Sequence, residues 1–309
     1  MRQPGERVAS ITVAFNPDPL RLARQLRALR GQVDDVVVVD NGAGTRPDVA
    51  PGDPAAHVIE MRENRGVASA FNVGMRAARL RGARFALLMD HDSIPCDGMV
   101  DALLAGYREA TLRSPAPVAA VGPRVHDVRD RTEYPFIRLG WLRNRHLRPA
   151  QAIGGLIECD FLISSGTLVA LDHLEAIGEF DESLFIDSVD LEWSCRARSR
   201  GFRLVGVCAA RLDHWLGDAR RKVMPGVELV VHAPERIYYM TRNRLLLYRR
   251  PYVPLKWKAK DVLRLLAKFT ATMLFMPARA EYRRMTMRAL RDGMMRMGGK
   301  YGSPTPIRR

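Results

Sequence analysis

The sequence predicts an α/β fold built on a mostly parallel, Rossmann-like sheet, and three observations predict it. Strand-like and helix-like runs alternate through the first third of the chain, the rhythm of β-α-β units. One of the strand-like runs, Val36 to Val39, is apolar at every position, as expected of a strand covered on both faces. The polar residues Asn16, Asp40, Asn41, Asp90 and Asp92 each stand just after a strand-like run. That is the sheet edge where open α/β folds bind their ligands.

Each element has its own signal. Val8 to Phe15 is β-branched and apolar until Asn16-Pro17-Asp18-Pro19 breaks it. Leu20 to Arg30 places Leu22, Leu26 and Leu29 at helical spacing and stops at Gly31. Val36 to Val39 ends in Asp40-Asn41-Gly42, and His57 to Met61 is a shorter strand. Gly66 to Leu80 reads as a helix, Phe85 to Met89 as a fourth strand, and the residues from Pro95 onward as another helix. Val118 to Val121 follows as a strand. The polar stretch from Arg124 to Gln151 reads as a loop or lid, a helix starts at Leu171, and Arg203 to Val207 is strand-like. From about His232 the pattern is helical. Leu255 to Met276 is an amphipathic run with apolar Val262, Leu265, Leu266, Phe269, Met273 and Leu274 interleaved with Lys256, Lys258, Lys260, Arg264 and Lys268.

Composition narrows the class. Across 309 residues there are 49 Lys and Arg against 34 acidic residues, a formal charge of +15, so the chain meets something anionic. The excess is concentrated after Arg236, where basic residues crowd in. The four cysteines, Cys96, Cys159, Cys195 and Cys208, have neither Cys-x-x-Cys nor zinc-site spacing and read as free thiols in a reducing compartment. No secretory signal is apparent at the N-terminus, and no apolar run reaches the ~18 residues of a membrane span. The expected location is cytoplasmic, peripheral on the cytoplasmic face of the inner membrane. There the basic amphipathic helix would contact anionic lipid. The Gly-x-Gly-x-x-Gly fingerprint is absent after the first strand, which disfavours a dinucleotide oxidoreductase.

Four constellations carry chemistry. Asp90 and Asp92, in MDHDS, place two carboxylates one residue apart at a strand end. Such an oxygen-rich site suits Mg²⁺ or Mn²⁺ with positions left for phosphate oxygens. Alone, Asp-x-Asp is common in solvated turns; its place after a buried strand gives it weight. FIDSVDLEWSCRAR puts Asp187, Asp190 and Glu192 near a helix start. Acids there are favoured by the helix dipole, and one of them could also serve as a general base. His214, in LDHW, follows a strand and could complete a metal shell. The stretch RIYYMTRNRLLLYRR is basic with interleaved aromatics, compatible with nucleic-acid binding or with a phosphate clamp.

Taken in order, VAFNP, VVVVDNG, ENRGVASAFNVGMRAA, ALLMDHDS, DFLISSGTLV, FDESLFIDSVDLEWSCRA, DHWLGD and YYMTRNRLLLYRR resemble the family 2 inverting glycosyltransferases, within them the bacterial rhamnosyltransferases that use dTDP-L-rhamnose. The resemblance covers nearly the whole chain. It implies a GT-A fold, with a nucleotide-sugar half over about 1–122, an acceptor half over about 123–231, and a basic helical region over 232–309. It implies that Phe15, Asn16, Asp40, Asn41, Asn64, Gly66, Asn72, Asp90 and Arg242 bind the donor. It also implies that Asp90, Asp92 and His214 hold the Mg²⁺ or Mn²⁺. The base falls to Asp187 or, second, Asp190, because Ser188 stands where many members carry the catalytic Asp. The implied reaction moves L-rhamnose to a hydroxyl of a bacterial surface polysaccharide or lipid-linked glycan. The same fold with a UDP-galactofuranose, UDP-glucose or UDP-GlcNAc donor is the nearest alternative, and a nucleic-acid-binding protein a distant one.

Overall fold

A computed structural model describes the chain except residues 1–2, 4, 43–55, 130, 142, 215–218, 225–226, 232, 276–278 and 308–309. In chain order the elements are β1 (Val8–Ala14), α1 (Pro19–Leu29), β2 (Asp35–Asp40), β3 (Ala56–Glu60), α2 (Val67–Leu80), β4 (Phe85–Asp90), β5 (Ser93–Pro95) and α3 (Met99–Leu112). Next come β6 (Val118–Asp127), β7 (Thr132–Tyr134), β8 (Phe136–Arg138), β9 (Arg145–Leu147), β10 (Leu156–Cys159), β11 (Leu168–Ala170), α4 (Leu174–Ile177) and α5 (Val189–Ser199). The chain ends with β12 (Arg203–His214), β13 (Ala219–Met224), β14 (Val227–Val231), α6 (Pro234–Tyr248), α7 (Leu255–Phe275), α8 (Arg279–Met294), β15 (Met297–Gly298) and β16 (Thr305–Pro306).

The central sheet runs β10-β12-β6-β11-β4-β1-β2-β3. Strands β3, β2, β1 and β4 are mutually parallel, β11 is antiparallel to its neighbours β4 and β6, and β12 is parallel to β6. β1 and β2 are buried at every residue, as their uninterrupted apolar sequences predict. The pleat sends alternate side chains to opposite faces. Ile11, Val13, Val37 and Val39 join Phe71 and Met75 of α2 on one face. Val36 and Val38 join Leu22 and Leu26 of α1 and Leu103 of α3 on the other. Helix α2 lies so close on β1 that a Cβ at Gly74 would meet Ile11 Cγ2 at 2.3 Å.

The middle of the chain departs from its sequence pattern. The stretch read as a loop from Arg124 to Gln151 contains the end of β6 and all of β7, β8 and β9. These strands are three residues long or sit half-exposed, too short to show an alternation. The strand read as ending at Val207 continues to His214. A register shift between Val207 and Arg211 interrupts the period, which hid the second half. The helix read from Leu171 is one 3₁₀ turn followed by the four residues of α4.

Two smaller clusters attach the C-terminal helices. Cys195 of α5 packs with Leu247, Val253 and Trp257, and Phe185 packs with Tyr238, Tyr239, Met285 and Ala289. Among the described residues, no helix is long and apolar enough to cross a membrane.

Candidate functional site

A cleft of about 670 Å³ opens at the carboxyl ends of the parallel strands. Phe15, Asn41, Asn64 and Gly66 line one side, Asp90, Asp92 and His214 the floor, and Asp187, Ser188, Asp190 and Arg236 the other side. The floor is set by α1. Gln25 of that helix is buried, accepts from Thr12 Oγ1 at 2.9 Å, and donates its amide to the carbonyls of Asp90 and Ser93. A core polar residue therefore fixes the turn that carries the two aspartates.

His214, at the end of β12, reaches the end of β4. Its Nε2 lies 3.7 Å from Asp90 Oδ2 and 3.8 Å from Asp92 Oδ1. Ser165 Oγ lies 3.1 Å from the same nitrogen and donates to Asp90. The three donor atoms of Asp90, Asp92 and His214 all fall within 4.8 Å of one another. His214 is 4% exposed, and its Nδ1 has no hydrogen-bond partner among the described residues. The residues Trp215 to Asp218 that follow it in DHWLGD lie outside the described residues.

The electrostatics of this trio suit a cation. Burial pushes the Asp92 carboxyl up, with the neighbouring Asp90 charge adding to it and His214 opposing. Burial also acts to raise Asp90, but the proximity and charge of His214, with the hydroxyl of Ser165 donating, outweigh it and leave Asp90 below the ordinary carboxylate value. Burial lowers His214, yet Asp90 and Asp92 hold it above the ordinary imidazole value. Two carboxylates and an imidazole competing for one proton are a set that a divalent ion satisfies better.

The residues that the resemblance assigns to the donor divide into three groups. Asn41 Nδ2 donates to Asn64 Oδ1 at 3.2 Å, Asn41 Oδ1 accepts from the Arg65 amide, and Asn64 Oδ1 accepts from the Gly66 amide. These two residues shape the turn into α2 as well as lining the cleft. Asp40 accepts from the Gly42 amide at 2.9 Å, and a Cβ at Gly42 would come 3.4 Å from the half-exposed ring of Phe15. Asn16, at φ 45°, follows Phe15 and is exposed outside the cleft lining. Asn72 and Arg242 are placed elsewhere. Asn72 is 1% exposed and braces α2 to the next loop, donating to the Phe180 carbonyl and Glu182 and accepting from the Phe180 amide.

Arg242 is fully buried, donates to the carbonyls of Ser183, Leu184 and Gly299, and lies over the rings of Tyr238 and Tyr239. The arginine of α6 that lines the cleft is Arg236, six residues earlier. On a helix that spacing turns a side chain well away from its counterpart, which a basic segment read without a helical wheel does not reveal. Arg236 pairs with Asp187, its Nη2 3.2 Å from Oδ1.

Asp187 and Ser188, each at φ 64°, form a left-handed turn into α5. Asp190, in the first turn of α5, accepts from the Leu191 amide at 2.8 Å. Burial pushes its carboxyl up to about 6, and the charges of Asp187 and Asp90 add to the rise. Glu192 is 1% exposed and committed to Arg196 and Tyr252, a structural role. The sequence pointed to neither Ser165 nor Arg236 as a site residue, although both sit inside motifs it highlighted.

Asn243 ties this side together. Its amide lies within 2.7–2.9 Å of the carbonyls of Leu184, Ile186 and Asp187. Asn243→Ala leaves buried acceptors unsatisfied, which costs about 1–3 kcal/mol. We expect thermal unfolding to report that loss and kcat to fall by up to about 10²-fold, because the Asp187–Asp190 turn shifts.

Gly66 makes a second prediction. At φ 86° its missing Cβ would lie 2.4 Å from the Phe185 carbonyl oxygen. Gly66→Ala therefore strains the backbone by about 1 kcal/mol or more and pushes the Phe185 loop off the cleft. The expected outcome is a lower Tm together with a raised donor KM, measured on the same preparation.

Residues 10–166 match the family model described as Glycosyl transferase family 2. Over 302 residues the chain is 29% identical to the dTDP-rhamnosyl transferase RfbF of Shigella flexneri, covering 96% of this chain and 99% of that protein. Among solved structures, S. aureus TarS 1-349 superposes with a TM-score of 0.58 at 14% identity, over 94% of this chain and 80% of that one. GalNAc-T7 with UDP, GalNAc and Mn²⁺ superposes with a TM-score of 0.56 at 12% identity, over 86% of this chain and 57% of that one. These structural likenesses establish the shared fold.

Proposed function

The chain belongs to glycosyl transferase family 2 and is a glycosyltransferase, and from that premise we propose that it transfers L-rhamnose from dTDP-L-rhamnose, with inversion, to a hydroxyl of a bacterial surface polysaccharide or lipid-linked glycan. The observation that carries this reading is the Asp90–Asp92–His214 trio at the floor of the cleft, in a chain that matches a dTDP-rhamnosyl transferase from end to end.

The donor lies across the strand ends, its base towards Phe15 and Asp40 and its diphosphate towards Asp90, Asp92 and His214. These three would hold Mg²⁺ or Mn²⁺, which supplies positive charge against the departing diphosphate. Arg236 faces the same space and can give up its pairing with Asp187 for phosphate oxygens, which a guanidinium matches bidentately. The acceptor hydroxyl enters beside α5. Its oxygen forms the new bond to the anomeric carbon as the bond from that carbon to the diphosphate breaks, and its proton passes to a carboxylate.

We assign that base to Asp190. The Asp187 carboxylate is already engaged by Arg236, whereas Asp190 accepts backbone amides, that of Leu191 at 2.8 Å, and has its affinity for a proton raised. A base poised near neutrality suits the task. The basic C-terminal helices hold the enzyme against an anionic cytoplasmic leaflet, where lipid-linked acceptors are within reach.

A donor panel tests the sugar. Nucleotide release from dTDP-L-rhamnose should exceed that from UDP-glucose, UDP-GlcNAc and UDP-galactofuranose by at least about tenfold, as expected where a pocket rejects mismatched polar groups. Turnover of a UDP-hexose without turnover of dTDP-L-rhamnose overturns the rhamnosyl reading.

A further inference from the structure

The C-terminal helices enclose an apolar crevice that the transfer reaction does not use. It has a volume of about 190 Å³ and lies between α6, α7 and α8. Ile237 and Met240 of α6, Leu265, Leu266 and Phe269 of α7, and Leu290 of α8 line it. Its two strongest polar groups are already committed. Arg244 pairs with the buried Asp261, Nε to Oδ2 at 3.0 Å, and Thr286 Oγ1 donates to the Tyr282 carbonyl in its own helix. The crevice therefore offers mainly hydrocarbon. It is smaller than the ~300 Å³ at which drug-sized pockets begin, and fits a narrow chain better than a ring system.

The crevice opens onto an exposed apolar stripe. Leu255, Leu263 and Leu266 are 71%, 69% and 59% exposed, and Ala259 and Val262 are also exposed. Positions 255, 259, 262, 263 and 266 share one face of α7. Leu266 belongs both to this stripe and to the crevice wall, so it marks the mouth. The surroundings are basic. From Leu255 to Arg296 there are 11 Lys and Arg against 3 acidic residues. Two of those acids, Asp261 and Asp292, are buried against Arg244 and Tyr238. Arg283 lies one turn before Thr286, on the face of α8 that lines the crevice, and is exposed.

An apolar slot, an apolar stripe at its mouth and the exposed Arg283 beside it, within a strongly basic segment, together match an anionic amphiphile. We propose that the crevice takes part of one hydrocarbon tail of an anionic membrane phospholipid, with the headgroup towards Arg283 of α8. The proposal rests on the membrane reading above and refines it. The stripe alone would lie on a bilayer by area and charge; the crevice adds a saturable site for a single lipid.

The test uses the full chain and two probes. Dihexanoylphosphatidylglycerol, below its micellar concentration, is titrated by calorimetry. Co-sedimentation is measured with vesicles of equal parts phosphatidylglycerol and phosphatidylcholine. The wild type should bind one short-chain lipid per chain, at least tenfold more tightly than dihexanoylphosphatidylcholine. Thr286→Phe, which fills the crevice, should weaken that binding tenfold or more and reduce vesicle binding severalfold, with dTDP binding unchanged. If Thr286→Phe fails to fold, Leu266→Gln at the exposed mouth gives the same comparison. Wild-type affinity for the short-chain lipid in a folded variant overturns the crevice but leaves membrane association standing if the vesicles still sediment the protein. A wild type that ignores anionic vesicles overturns the membrane reading, and the crevice with it.

Discussion

Asp190→Asn is expected to lower kcat by about 10²–10⁴-fold, the range over which a positioned general base contributes, while leaving donor KM within a few-fold. The asparagine keeps the size of the side chain and its acceptor for the Leu191 amide, so only the proton-accepting function is removed. Asp187→Asn should act differently. It releases Arg236, so its main effect falls on donor binding and loop order. If instead Asp187→Asn abolishes turnover at unchanged donor KM and Asp190→Asn does not, the base is Asp187.

The pH dependence follows from the same group. With the Asp190 carboxyl raised to about 6, kcat/KM should climb about tenfold per unit below that value and level off above it. A cation on the floor of the cleft shifts the break downward. The stability consequence has the opposite direction. The folded-state value lies above that of an exposed aspartate, so between about 4 and 6 the folded protein keeps a proton that the unfolded chain has lost. Stability contributed by this group is present below that window and is lost as pH rises through it. Asp190→Asn should accordingly raise Tm at pH 8 relative to wild type, with the gain disappearing near pH 4.

Removing the metal site is the second large effect. Asp92→Ala, or chelation of the wild type, should reduce turnover by about 10³-fold or more, because a cation on a leaving diphosphate supplies several kcal/mol and each 1.4 kcal/mol is about a factor of ten. Mn²⁺ or Mg²⁺ should restore the chelated wild type and not the variant. His214→Ala should lose less, since it keeps both carboxylates. It also removes the buried imidazole that faces Asp90 and Asp92, so it carries a folding cost that Tm should report. An unchanged rate after exhaustive chelation would show that the trio serves another purpose.

The parts of this architecture that the sequence made legible are those where local pattern and tertiary role coincide. Val36 to Val39 reads as a doubly covered strand because it is one, and Asp90 and Asp92 declare themselves because β4 ends where its apolar run ends. Legibility fails where long-range contacts decide. His214 reaches Asp90 only because β12 continues past a register shift that erases its period. Arg242 and Arg236 are equally basic in sequence, and only the rotation of α6 against the Ser183–Asp187 loop assigns one to the interior and the other to the cleft. The choice between Asp187 and Asp190 likewise turns on Arg236, 46 and more residues away in sequence.

The central claim is that Asp90, Asp92 and His214 hold one divalent ion against the donor diphosphate. Electron paramagnetic resonance of Mn²⁺ titrated into the protein with dTDP present tests it most directly. The account predicts one Mn²⁺ bound per chain in the wild type, tightened by dTDP, and loss of that site in Asp92→Asn. Undiminished Mn²⁺ binding in Asp92→Asn, or no change on adding dTDP to the wild type, would contradict it.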